Sequence, residues 1–161
     1  MKNKLFRFSL IWIFYLFFTS SFADELNINA LEVHVDKEKE IIYAEGEVEI
    51  SDIKQNLILT EKAEYDKSKN LAKTLGQTNI TTSEKFKVTG KNIFYDNQKK
   101  IIYSNDDTII LDKDGNKIFV NMFNYLTEKN MFLSKGNIKI LDTRNNEYFF
   151  SEIYIDEKKG K

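Results

Sequence analysis

The stretch Val35-Asp36-Lys37-Glu38-Lys39-Glu40-Ile41-Ile42-Tyr43-Ala44-Glu45-Gly46-Glu47-Val48-Glu49-Ile50 decides the fold, because its pattern returns every thirty residues. Tyr65-Asp66, Tyr95-Asp96, Tyr125-Leu126 and Ile155-Asp156 follow Val35-Asp36 at that interval. Ten places after the Asp position stand Gly46, Gly76 and Gly136, with Asp106 in the third copy, and fourteen places after it stand Ile50, Ile80, Ile110 and Ile140. Copies that align without a gap mark an array of one supersecondary unit stacked on itself.

Working outward, the unit reads as strands. Val33 and Val35 alternate with Glu32, His34 and Asp36, and Val48 and Ile50 alternate with Glu47 and Glu49. That is the period of two expected of a sheet with one wet face. No window carries a helical stripe, and β-branched and aromatic residues are abundant, as strands prefer. Polar turns fall twice per copy. One series is 37–40, 67–70, 97–100, 127–130 and 157–160, and the other is 52–55, 82–85, 112–116 and 142–146. Two turns per copy predict a long antiparallel meander. The inward parity is even at Ile58 and Val88 but odd at Ala63 and Ile93. A parity change within one strand requires a bulge or bend. Glycine at 46, 76 and 136 is where a bend costs least, so the sheet is expected to fold over into a gutter with two walls. Thr78, where Val48 stands, and Asp106, in the glycine place, set the middle copies apart and predict a less uniform bend there.

Stacking the copies aligns apolar columns. They are Val33, Ala63, Ile93, Phe123 and Ile153; Val35, Tyr65, Tyr95, Tyr125 and Ile155; Ile42, Ala72, Ile102 and Phe132; Ile50, Ile80, Ile110 and Ile140; and Ile58, Val88, Ile118 and Tyr148. Val48 and Ile138 share the inward parity. Periodicity alone leaves two readings of these columns: a filled sandwich core, or an open apolar channel.

Composition limits the rest. The chain has 161 residues, 42% hydrophobic and 30% charged, which suits one modest domain, and it has neither cysteine nor proline, so disulfides and Cys-based metal or redox chemistry are excluded. Lys2, Lys4 and Arg7 precede the apolar run Phe8 to Phe18, and Ser21-Phe22-Ala23 supplies small residues for a peptidase. Residues 1–23 are therefore expected to be a cleaved signal peptide and residues 24–161 the exported domain, with an uncleaved anchor as the alternative. Removing 1–23 leaves 21 basic against 25 acidic residues, a balance that does not attract nucleic acid.

The elements Ala44-Glu45-Gly46-Glu47-Val48-Glu49-Ile50, Ser134-Lys135-Gly136-Asn137-Ile138-Lys139-Ile140 and Ala63-Glu64-Tyr65-Asp66, taken as a repeated set over residues 26–156, resemble the OstA-like family of lipopolysaccharide-transport proteins. That resemblance implies an all-β, twisted β-jelly-roll gutter open along one side, a periplasmic location and no enzymatic activity. It implies lipopolysaccharide acyl chains as the ligand, held by Val33, Val35, Ile42, Val48, Ile50, Ile58, Tyr65, Ile80, Val88, Ile93, Tyr95, Ile102, Ile110, Ile118, Phe123, Tyr125, Phe132, Ile138 and Ile140. It implies as partners homologous domains, a second copy included, joined strand to strand at the edges Leu26–Val35 and Tyr148–Ile155. A mature chain of 138 residues suits the family's stand-alone bridge. Asp156-Glu157-Lys158-Lys159-Gly160-Lys161 stops inside a turn, which suits the N-terminal domain of the outer-membrane translocon. Both stay open.

The other candidates are weaker. His34 sits on a polar strand face and reads as a solvated histidine. Asp36, Asp66, Asp96 and Asp156 enter turns, where a carboxylate caps backbone N–H groups, and neither a metal nor a cofactor is expected. The turn lysines are interleaved with glutamates, which predicts a solvated rim. No nucleophile, base and orienting group fall together, so catalysis is not expected.

Overall fold

The structure, a computed structural model, describes residues 26–159. The expected signal segment lies outside them. The described chain is all-β, with thirteen strands: β1 Asn27–Asn29, β2 Glu32–Asp36, β3 Ile41–Ser51, β4 Leu57–Asp66, β5 Leu71–Thr81, β6 Lys87–Lys91, β7 Phe94–Asp96, β8 Ile101–Ser104, β9 Thr108–Leu111, β10 Lys117–Val120, β11 Phe123–Leu126, β12 Met131–Leu141 and β13 Glu147–Asp156.

Pairing is antiparallel throughout and follows the meander. Each pass of the chain contributes to two walls. The rim wall that carries the turns 52–56, 82–86, 112–116 and 142–146 is built from β1, β6, β9 and β10 with one half each of β3, β4, β5, β12 and β13. The facing wall is built from β2, β7, β8 and β11 with the other halves. The two walls meet at a crease. The turns of both series form where the polar clusters predict them. In the facing wall one backbone bond recurs, with Lys67, Asn97, Thr127 and Glu157 donating to Glu40, Asn70, Lys100 and Asn130 at 3.0 Å each.

The carboxylates that enter these turns are used locally. Asp36 accepts from the N–H groups of Glu38 and Lys39, Asp66 from that of Lys69, Asp96 from that of Lys99, and Asp156 from those of Lys158 and Lys159. The Lys69 ammonium, the Ser68 hydroxyl and the Lys69 N–H together hold Asp66 at about 2.

At the crease the backbone takes conformations that side chains resist. Gly46, Gly76 and Gly136 lie at φ of 75°, 95° and 110°, and the register between neighbours shifts beside each of them. The middle copies bend differently, as Asp106 predicts, whereas β5, which carries Thr78, runs unbroken through its bend at Gly76. Elsewhere in those copies the strands break outright, between β6 and β7, β8 and β9, and β10 and β11. Asn92 supplies the left-handed residue, and its amide donates to Asp106 at 2.6 Å. A bend frees backbone groups that must still be paired. Buried hydroxyls do this along the crease: Ser104 donates to the Lys91 carbonyl, Thr108 to that of Asp106 and Ser134 to that of Met122, while Thr74 accepts from the Ile93 N–H.

Candidate functional site

Following register partners from strand to strand gives two unbroken inward rows. In the facing wall the row runs Val35, Ile42, Tyr65, Ala72, Tyr95, Ile102, Tyr125, Phe132, Ile155. In the rim wall it runs Ile28, Ile50, Ile58, Ile80, Val88, Ile110, Ile118, Ile140, Tyr148. Each row crosses all nine passes of the chain. The remaining inward residues of the sequence reading, Val33, Val48, Ile93, Phe123 and Ile138, stand one step nearer the crease. Val33 pairs with Ala44, Val48 with Thr60, Phe123 with Ser104 and Ile138 with Phe150.

The two rows face each other, and their burial grades along the array. Ile50, Ile58, Ile80, Val88, Tyr95, Ile102, Ile110, Ile118, Tyr125 and Phe132 are buried, as are Val48, Ile93, Phe123 and Ile138. Ile42, Tyr65 and Ile140 are half-buried, and Val33 and Val35 are 55% and 45% exposed because β2 is an end strand. The trough is thus filled along its middle by its own side chains. Near the C-terminal half the filling is aromatic: Phe132 packs against Tyr125, Phe86 and Phe123 with ring centres 4.5, 5.9 and 6.0 Å away. Phe86 was not among the sequence candidates. It follows the turn 82–85 directly and shares the parity of Val88, which was the available signal.

Opposite the crease the two rims touch. Across the rims the Tyr95 hydroxyl donates to Asp52 at 2.6 Å and the Thr82 hydroxyl to the Glu157 carboxylate at 2.7 Å, and that carboxylate also accepts from Tyr125 of its own wall at 2.7 Å. Lys54 donates to the carbonyls of Thr127 and Glu128, Lys113 to that of Glu157, and the Asn130 amide to Glu84. Glu157 is only 1% exposed, and burial pushes its carboxyl above the ordinary range. Burial likewise pushes the Tyr95 and Tyr125 hydroxyls up, so both stay donors. Sequence reading placed Asp52 and Thr82 in polar turns and Glu157 in a solvated rim. It had no means of seeing that twist brings these turns together across the trough.

Elsewhere the chemistry is sparse. His34 lies outward, its ring 6.3 Å from that of Tyr43. Among the described residues no group of three or more His, Cys, Asp or Glu is placed to hold a metal ion. A surface hollow of about 1180 Å³ lies against the outward residues Thr89, Ile109, Phe119 and Phe149 and the crease residues Asn92, Asp106 and Asn121, and reaches the inward Ile138. Both array ends carry exposed apolar side chains, Leu31, Val33 and Val35 at one and Tyr148, Phe149, Phe150 and Tyr154 at the other.

No family model and no curated protein sequence matches this chain. Among solved structures it is similar to LptH of Pseudomonas aeruginosa, described as the LptA homologous periplasmic component of the conserved lipopolysaccharide transport device. The two superpose with a TM-score of 0.62 at 14% identity, over 79% of this chain and 94% of that one. The residues described here therefore share the β-jelly-roll fold of that protein.

Proposed function

We propose that this chain is a non-enzymatic periplasmic carrier that shields the acyl chains of lipopolysaccharide on their way from the inner to the outer membrane. The observation that supports this reading is the pair of inward apolar rows, uninterrupted across every strand of a fold shared with LptH. Each methylene left in water costs about 0.8 kcal/mol, so a twelve-carbon chain crossing unshielded meets roughly 9 kcal/mol. A row that repeats the same apolar contact at each rung removes that cost without a deep minimum at any one point. The filled centre is compatible with this role when acyl chains take the place of one wall's contacts with the other, since apolar surface stays covered in both states.

In this reading the ligand is lipopolysaccharide, the export signal is residues 1–23, and the exposed edges of β2 and β13 take a homologous β-jelly-roll domain by strand addition. The same trough would serve as the N-terminal lipid-delivery domain of an outer-membrane translocon. The closed centre itself favours a reading of another class, a structural β-repeat whose core holds no ligand.

A photocrosslinking amino acid at Ile50, Tyr95, Ile110 or Ile140 in living cells separates these readings. Lipopolysaccharide adducts are expected at those four positions and not at the outward residues Glu47 and Glu49. No adduct at any inward position would leave the filled-core reading in its place.

A further inference from the structure

The carrier role just proposed requires the two walls to part, and the structure shows which of their two joints is the weaker. At the crease the walls share continuous chain in β3, β4, β5, β12 and β13. Across the rims, among the described residues, no backbone-to-backbone hydrogen bond links a turn of one series to a turn of the other. Every bond that closes that side has a side chain as at least one partner. A buried side-chain oxygen without a hydrogen-bond partner, Asn130 Oδ1, also lies there. A buried acceptor left unpaired marks a joint that is not fully satisfied when shut.

The sequence departs from its own repeat at this joint. In three of the rim-wall turns an Asp is followed four places later by an Asn whose amide donates to it: Asp52 and Asn56, Asp112 and Asn116, Asp142 and Asn146, each at 2.8 Å. The remaining turn has Thr82 and Phe86. An Asp at 82 would set its carboxylate against that of Glu157, whereas the Thr82 hydroxyl donates to it. One level earlier the arrangement is mirrored. There Asp52 of the rim wall supplies the carboxylate and Tyr95 of the facing wall the hydroxyl. Tyr95 and Tyr125 keep their rings in the apolar row and place only their hydroxyls in the joint.

We infer that this seam of side-chain bonds is a gate: the walls hinge at the crease and separate between the rims to admit acyl chains sideways, with Tyr95–Asp52 and Thr82–Glu157 as its two fastenings. This inference rests on the carrier reading for the identity of what enters, but the opening itself can be measured without lipid.

The chain has no cysteine, so Ile110→Cys, or Ile80→Cys as a second reporter, gives a single thiol on the buried row of the rim wall. Its labelling rate by a maleimide in native buffer reads how often the trough opens. Adding Tyr95→Phe or Thr82→Val, each of which removes a hydroxyl that donates across the seam, is expected to speed labelling about tenfold, the scale of one lost hydrogen bond to a carboxylate. Lys62→Gln, which breaks the outward ion pair with Glu45 at 2.8 Å and touches neither the inward rows nor the rims, leaves the rate unchanged. Purified lipopolysaccharide is expected to protect the thiol, and to do so sooner in the two seam variants. Equal labelling in the seam variants and their parent overturns the gate. Faster labelling in the seam variants without protection by lipopolysaccharide upholds the gate and overturns the carrier reading instead.

Discussion

The crease and the seam both join the same two walls, but with different parts of the polypeptide. At the crease the join is the chain itself, bent through glycines at positive φ, with buried hydroxyls pairing the backbone groups that the bend exposes. At the seam it is a set of hydroxyl, ammonium and amide side chains donating to carboxylates and main-chain carbonyls of the opposite rim. A joint of the first kind is fixed by conformational limits on the backbone, and altering it strains every rung beside it. A joint of the second kind can be undone one bond at a time, with the sheets on either side left intact.

The largest effects are therefore expected at the crease. Gly46→Ala and Gly76→Ala place a Cβ on residues at φ of +75° and +95°. At Gly76 nothing lies within 4 Å of that Cβ, so the loss is conformational alone, about 2 kcal/mol. At Gly46 the new Cβ meets the Cβ of Leu31 at 3.1 Å, and Leu31 is tied in place by donating its N–H to the Gly46 carbonyl. The loss there is expected to reach about 3 kcal/mol. Urea unfolding of the two variants checks both the size and the order. Losses near zero at both positions would mean that the crease is not set by its glycines.

How far the sequence reveals each joint follows from the same difference. The glycines, the turn series and the two inward rows repeat at one interval, and a repeated interval is visible in a single sequence. The crease hydroxyls were visible in principle, since Thr60, Thr74 and Ser104 continue the inward parity beyond the apolar residues, but an apolar search passes over them. The seam was not visible. Whether Asp52 faces Tyr95 and Thr82 faces Glu157 depends on how far the strands twist between one rim and the other. No residue records that offset. For the same reason Glu157, read as one more turn carboxylate, is buried in the structure, and the gutter expected to stand open is shut along its middle.

At the seam a single fastening should matter much less to stability. Tyr95→Phe removes the donor to Asp52 Oδ2, but that oxygen keeps its bond from the Asn56 amide, so no buried carboxylate oxygen is orphaned. A loss of about 1 kcal/mol is expected in urea unfolding. A loss as large as that of Gly46→Ala would show that the seam holds the fold as firmly as the crease does, and the contrast between them would fail.

The finest distinction concerns pH. Burial raises the Glu157 carboxyl above its ordinary value of 4.5, against the opposing effect of the bonds from Thr82 and Tyr125; Glu84 nearby adds to the rise and Lys113 offsets part of it. A carboxyl whose folded pKa is raised contributes most below its unfolded pKa, and that contribution is lost as pH climbs through the folded value. The turn carboxylates act in the other direction. Asp66 at about 2, with Asp36, Asp96, Asp142 and Asp156 also below their ordinary 3.8, add stability above that value and lose it as pH falls. The parent chain should therefore gain stability on leaving acid and give some back above pH 4.5 as Glu157 ionises in the closed seam. Glu157→Gln keeps an acceptor for one hydroxyl and cannot ionise, so in a urea series across pH it should retain the acid limb and lose the decline. Parallel curves for parent and variant would place the charge of Glu157 outside the seam's energetics, and the buried carboxylate would then be no weaker a join than the crease it faces.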